Sequence, residues 1–199
     1  MKADMAGAAS TRGEPVARRY EAIQVAWDLD VSYADFTRTF ESLLGRMDAA
    51  ALSDLSQLPS ELARTRLASF VGPLDFALFQ KLDHGAIIAS LYGRQARAMT
   101  YVFGNALIAV EMTKHVPRAG LYLPLRLFVE EVGEAEVRVT YDLPSSLIAT
   151  FGSAEANAVA RGLDQKVERL LRETINSASH SECPSHARTD HLSIGRRSG

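Results

Sequence analysis

The chain has 199 residues, enough for one hydrophobic core, and 47% of them are hydrophobic and 23% charged. A formal net charge of -2 does not indicate the basic face of a nucleic-acid binder, so we expect no nucleic-acid partner. The one cysteine excludes an internal disulfide, which fits a reducing cytoplasm. There is no apolar signal-peptide segment and no run near the ~20 apolar residues of a membrane span. We therefore predict a soluble, cytoplasmic protein without a membrane partner.

Both ends of the chain are polar and rich in small residues. Residues 1–18 predict a flexible leader, and residues 176–199, which are rich in Ser, His, Arg and Gly, predict a disordered tail. The hydrophobic periodicity lies between them, so residues 19–175 predict a single domain.

The domain begins with a strand and a helix. Residues 20–28 alternate apolar and polar side chains, which is typical of a strand with one buried face. Residues 32–47 predict a helix that begins at the N-cap Ser32. Its apolar stripe consists of Phe36, Phe40, Leu43, Leu44 and Met47.

Residues 48–75 form an extra segment rich in Ala and Leu. Pro59 and Ser60 predict a helix start, and Gly72 with Pro73 predicts its end. The pattern is compatible with a second helix lying along the sheet and equally with a mobile flap.

The middle of the chain predicts short elements in close succession. Residues 76–82 and 98–103 predict strands, while residues 86–92 fit either a strand or one or two helical turns. Residues 106–112 fit a short helix capped by Asn105.

The last part of the domain predicts a hairpin and a closing helix. Residues 121–130 predict a strand that is an edge or bulged at Pro124, because proline cannot donate to the ladder. A turn at Gly133 leads to the next strand, and residues 154–175 predict a long amphipathic helix. The order of elements predicts an α+β domain in which a long C-terminal helix packs on a mostly antiparallel sheet.

Several motifs follow one another in an order that resembles a known family. They are LDHG at residues 82–85, YVFGNALIAVEM at residues 101–112 and LYLPLRLFVEE at residues 121–131. Together with the later YDLPSSLIATFG and LDQKVERLL, they resemble the bacterial family of domain of unknown function 302 over roughly residues 20–172. The resemblance implies a TATA-binding-protein-like fold with β-α-β(4)-α order. Some members of that family are dimers, so we expect a homodimer.

One position departs from the family pattern. The family commonly has Gly-Asn-Pro where this chain has Gly104, Asn105 and Ala106, and we expect the loss of that proline to loosen the corner. The likeness to the fold of a DNA-binding protein implies no function, because function depends on sites rather than folds.

Asp83 and His84 lie at the predicted end of a strand. An imidazole there can be a general base, a hydrogen-bond donor or a ligand, and the alternative is a hydrogen-bonded turn that ends the strand. Because neighbouring strand residues point to opposite faces, we do not expect Asp83 to orient His84.

Gly104 and Asn105 form the second candidate site. The N–H groups at the start of the following helix could bind an anion, while the structural alternative is a helix cap alone. The sequence here lacks the further glycines and the Lys-Ser/Thr pair of a phosphate loop.

Met112, His115 and Arg126 form the third group. Met112 and His115 share a face if the helix continues, and both residue types can bind haem iron, although methionine is more often part of a core. Arg126 could bind a carboxylate ligand or pair with Glu130 on the surface.

The tail contains His180, Cys183, His186 and His191, which lack the paired spacing of a structural zinc site, so we predict no metal site. The sequence assigns no cofactor and no catalytic residue.

The leading hypothesis is a ligand-binding or sensing module, a homodimer that binds a small molecule in an apolar pocket with His84, Asn105 and Arg126 around it. The second is an enzyme that uses His84 as general acid or base, and the third is a structural or partner-binding domain.

Overall fold

The computed structural model describes residue 13, residues 15–47 and residues 49–180. The strands are β1 (Gln24–Leu29), β2 (Gly45–Arg46), β3 (Ala77–Asp83), β4 (Ala98–Gly104), β5 (Leu125–Gly133) and β6 (Glu136–Asp142). The helices are α1 (Tyr33–Ser42), α2 (Ala49–Ser53), α3 (Ser60–Ala68), α4 (His84–Tyr92), α5 (Ala106–Thr113), α6 (Pro144–Ala149) and α7 (Ala154–His180). Short 3₁₀ helices cover Leu55–Gln57 and Pro117–Tyr122.

The strands form one six-stranded sheet in the order β1-β6-β5-β4-β3-β2. Neighbouring strands are antiparallel except β2 and β3, which are parallel. When β2 and the shorter helices are set aside, the order is β-α-β(4)-α. The predicted α+β class, with an antiparallel sheet packed against helices that include a long C-terminal one, is confirmed.

The main core lies between one face of the sheet and α1, α5 and α7. Alternate residues of β6 and β5 face it, and α7 contributes a buried stripe at helical spacing. Phe40 of α1 is fully buried at the centre of an aromatic group. Its ring centroid lies 5.1 Å from that of Tyr101 and 5.7 Å from that of Phe103, both edge to face.

Within the extra segment, residues 49–53 and 60–68 form α2 and α3, and Leu67 of α3 belongs to a hydrophobic cluster at the start of β3. Ala77 and Met47 form a second small core with Leu67, Phe70, Val71, Phe79 and Ala106. Leu78, the next residue after Ala77, belongs to the main core. Since neighbouring strand residues point to opposite faces, α3 covers the reverse side of the sheet at this end.

The first helix ends at Ser42, earlier than the residue 47 predicted from its apolar stripe. Gly45 instead begins the short strand β2, where its N–H donates to Phe76 O at 2.9 Å. A Cβ at Gly45 would lie 1.9 Å from Phe70 O, so only glycine fits this contact between backbones. Leu44 and Met47 remain buried, which is why the sequence pattern extended the helix past its end.

Other differences concern the second half of the chain. The strand predicted for residues 121–130 begins only at Leu125, after a 3₁₀ helix and the cis peptide bond Leu123–Pro124. Residues 86–92, left open between strand and helix, are helical and belong to α4, which begins at His84. Helix α6 was not predicted, and α7 runs on to His180. The remainder of the predicted tail and most of the predicted leader lie outside the described residues.

We expect Phe40→Ala to lower the free energy of unfolding by about 3–5 kcal/mol, because it removes a fully buried ring and leaves a cavity among aromatic side chains. Urea unfolding followed by circular dichroism measures the change. Leu62→Ala is the control, because Leu62 is 57% exposed and its loss should cost less than ~0.5 kcal/mol. A cost below ~1 kcal/mol for Phe40→Ala would contradict the central position given to this ring.

Candidate functional site

A half-enclosed apolar pocket of about 220 Å³ lies beside α5. One wall comes from α5 itself, and the others come from Phe79 on β3, the Leu123–Pro124 segment and Leu163 on α7. The lining residues are Phe79, Gly104, Asn105, Ala106, Ile108, Ala109, Met112, Thr113, Gly120, Leu123, Pro124, Leu125 and Leu163. No charged side chain is among them, so this pocket is suited to an uncharged, mainly apolar ligand.

Asn105 lies at the pocket but its side chain is committed to the fold. Oδ1 accepts hydrogen bonds from Leu107 N at 2.9 Å and Ile108 N at 3.3 Å, which caps α5. Nδ2 donates to Asp75 O at 2.8 Å. Because the cap occupies these N–H groups at the start of α5, an anion has little to bind there.

Asp75 is a structural residue that the sequence did not reveal. Its φ of 65° is left-handed, a conformation that Asp tolerates better than most side chains. Its carbonyl accepts from Asn105, and Oδ2 lies 2.7 Å from Nζ of Lys166 on α7. This turn therefore connects the start of α5 to the long helix.

His84 lies on the open face of the sheet, which is the face opposite the one that packs on the main core. Its Nε2 is 3.0 Å from Thr100 Oγ1, and its ring packs edge to face on Phe128 with centroids 5.9 Å apart. The imidazole is half-buried with a neutral hydroxyl as its hydrogen-bond partner. Among the residues that the structure describes, no carboxylate forms a hydrogen bond with this ring, unlike the base of a catalytic dyad.

Asp83 is directed away from His84. Its Oδ1 accepts a hydrogen bond from Ala86 N at 2.8 Å and caps α4. Asp83 also lies at a polar cleft between α1 and α4, together with Tyr33, Glu41 and Arg97. Asp83 and His84 therefore make their contacts on opposite faces of the sheet.

Arg126 is exposed on the same open face as His84, opposite Val102 of the neighbouring strand. Among the ion pairs of residues 15–47 and 49–180, none involves Arg126, so its guanidinium pairs neither with Glu130 nor with a group at the pocket.

Met112 and His115 are separated by burial. Met112 is fully buried and lines the apolar pocket, whereas His115 is exposed and follows the end of α5 at Thr113. The structure therefore brings Gly104, Asn105 and Met112 together at one pocket and leaves His84, Arg126 and His115 elsewhere. Cys183, His186 and His191 lie outside the described residues.

A group of polar side chains that sequence reasoning missed surrounds Glu41. Glu41 Oε1 accepts from the Tyr101 hydroxyl at 2.9 Å, and Nζ of Lys81 lies 2.9 Å from the same oxygen. Burial raises the pKa of Tyr101, and the Glu41 carboxylate raises it further. These residues are far apart in sequence and carry no common motif, so only the fold reveals them.

The described part of the chain contains no helix that is long and apolar enough to cross a membrane. Within those same residues, no group of three or more His, Cys, Asp or Glu side chains is placed to hold a metal ion.

The model of the family described as Domain of unknown function DUF302 matches residues 54–174. The chain is similar in fold to a crystal structure of an uncharacterized conserved protein DUF302 from Bacillus stearothermophilus, with a TM-score of 0.54 and 11% identity. The alignment covers 76% of this chain and 97% of that one. No protein with a curated description matches this chain.

We expect the protein to lose stability as the pH rises from ~10 to about 12. Burial, and then the charge of Asp83, raises the pKa of Tyr33 from 10.0 to about 12. The folded state therefore holds this proton more tightly than the unfolded state, and the stabilisation present below pH ~10 disappears as the pH approaches the folded value.

Thermal unfolding across this pH range tests the expectation. Tyr33→Phe should match the wild type at neutral pH and lose less stability in alkali, because the variant has no phenol to ionise at this site. Tyr92→Phe is the matched control, since Tyr92 is 74% exposed. Equal alkaline losses for Tyr33→Phe and the wild type would contradict the assignment.

Proposed function

Because this chain belongs to the DUF302 family, whose description assigns no activity, we propose a function from its own pocket: it binds a small apolar molecule beside α5. The observation that supports this most directly is the half-enclosed pocket of about 220 Å³ whose lining contains no charged side chain. Apolar cavities of ~150 Å³ bind molecules the size of benzene, so this pocket can hold a small ring or a short hydrocarbon chain.

The polar groups at the pocket favour a ligand without charge. Asn105 is occupied on both its oxygen and its nitrogen, and Thr113 has the only other polar side chain in the lining. A charged ligand would lose its hydration without gaining a partner. An apolar ligand loses nothing of this kind and gains contact with Ile108, Leu123 and Leu163.

The enzyme hypothesis has less support from the geometry. His84 is outside the pocket and bonded to Thr100, and Asp83 faces the other side of the sheet. A general acid or base must reach the reacting group of its substrate, and the apolar pocket contains no titratable side chain for that purpose.

We also infer that the protein works in the cytoplasm, since a chain with one cysteine needs no oxidising compartment to fold. Fractionation of cells that express a tagged chain tests this location, and recovery outside the cytoplasmic fraction would contradict it.

We expect toluene, used as an apolar probe, to raise the melting temperature of the wild type. At a concentration ten times its dissociation constant the shift should be about 3–6 °C, because binding then stabilises the folded state by about 1.4 kcal/mol through mass action. Ala109→Phe should abolish the shift, since residue 109 lines the pocket and the added ring fills it.

Val110→Phe is the matched control, because Val110 is on the same helix but 44% exposed and not part of the lining. It should keep the full shift with toluene. If Ala109→Phe folds poorly, Gly104→Ala narrows the same pocket, since its new Cβ would lie 3.5 Å from Pro124 Cβ and 3.8 Å from the ring of Phe79. Equal shifts in the wild type and in the pocket variants would overturn the proposed function.

A further inference from the structure

The outer edge of β3 is only half covered. Strand β2 pairs with Ala77 and Leu78 and then ends, so within the described residues β3 pairs from Gln80 onward with β4 alone. Residues 80–83 are all exposed. An open strand edge presents unpaired N–H and C=O groups that can pair with another strand.

Apolar side chains lie next to this edge. Leu82 is 42% exposed, and α4, which follows β3 directly, exposes Ile87, Leu91 and Tyr92 by 57%, 70% and 74%. α4 contains no charged residue between its N-cap Asp83 and its C-cap Gly93. Such a concentration of exposed apolar residues is typical of an interaction surface.

The hydrogen-bond pattern shows which backbone groups point outward. Leu78 O accepts from Met47 N, so residue 78 faces the outer edge. After the bulge at Phe79, the paired positions continue with Gln80 opposite Val102 and Lys81 opposite Tyr101. Because antiparallel positions alternate between bonded and non-bonded pairs, Lys81 and Asp83 are the next residues whose N–H and C=O point outward.

We propose that this edge pairs with the same edge of a second copy of the chain, antiparallel and with Leu82 on the two-fold axis. In that register Lys81 lies opposite the partner's Asp83, and Asp83 lies opposite the partner's Lys81. Both residues have outward backbone groups, so each pair exchanges two backbone hydrogen bonds and joins the two sheets into one.

The charges on the edge favour this register over its neighbours. A two-fold axis at Lys81 would place two lysines opposite each other, and an axis at Asp83 would place two carboxylates opposite each other, which is destabilising. A lysine on an edge strand usually discourages pairing. Here the residue two positions along the strand supplies the opposite charge, so a copy of this chain is itself a complementary partner.

Both charged side chains are already held near the required positions. Nζ of Lys81 donates to the two carboxylate oxygens of Glu41 at 2.9 and 3.0 Å. The Lys81 side chain is 39% exposed, and its ammonium group can donate to a further acceptor. Asp83 uses Oδ1 for the α4 cap, which leaves Oδ2 for the partner's Lys81.

The test is a complementary charge exchange measured by sedimentation equilibrium on the full chain. We expect the wild type to form a dimer of 21.7 kDa subunits. Lys81→Asp and Asp83→Lys each place like charges in both cross-strand pairs, so each variant alone should dimerise at least ~10-fold more weakly. An equimolar mixture should recover dimers, because each Asp at 81 then meets a Lys at 83.

The mixture also separates the interface from the fold of each subunit, since a misfolded variant would not be rescued by its counterpart. Lys114→Glu, a charge reversal on α5 away from β3, is the control and should leave dimerisation unchanged. A monomeric wild type at high micromolar concentration would overturn the proposal. A dimer that is insensitive to both single variants, or a mixture that remains monomeric, would overturn it as well.

Discussion

The position of α1 on the sheet depends on Glu41. This half-buried carboxylate accepts a hydrogen bond from the hydroxyl of Tyr101 on the central strand β4 and pairs with Lys81 on β3. Phe40 of α1 packs against Tyr101 and Phe103 in the core, and the next residue, Glu41, lies beside the hydroxyl of Tyr101. A carboxylate removed from water needs such partners, so the apolar and the polar contacts of α1 fix the same register against two strands.

The same interaction connects the interior with the edge of the sheet. Lys81 would be a mobile surface side chain without Glu41, and Tyr101 would be a buried hydroxyl without an acceptor. Because Lys81 and Tyr101 bind the same carboxylate, Glu41 connects the buried core to β3, at the point where β2 ends and β3 becomes open to solvent. Asp83 is fixed in a similar way by its cap on α4. The charges at this edge are therefore held in place by groups that serve the fold.

The sequence predicted those features that depend on local pattern. The periods of α1, α7 and the strands, the Ser32 cap and the Asn105 cap are local, and the structure contains them. The end of α1 was misplaced because Leu44 and Met47 are buried although they follow the helix, Leu44 in the main core with Phe40 and Met47 in the second small core, and periodicity cannot distinguish them from helix residues. After the helix, the backbone of Gly45 lies close to that of Phe70, far along the chain, and no local rule detects such a contact.

Only the part of the candidate site that depends on local sequence was predictable. The corner at Gly104 and Asn105 is visible in the sequence, and it does border the apolar pocket. His84 and Arg126 attract attention by residue type, but both lie away from that pocket, His84 beside Thr100 and Arg126 on the strand face opposite Leu125 and Leu127. The rest of the wall is made of ordinary apolar residues such as Ala109, Leu123 and Leu163. Their side chains look like core residues in the sequence, and they form a binding surface only in the folded chain, where Phe79, at the bulge of β3, is also part of the pocket lining.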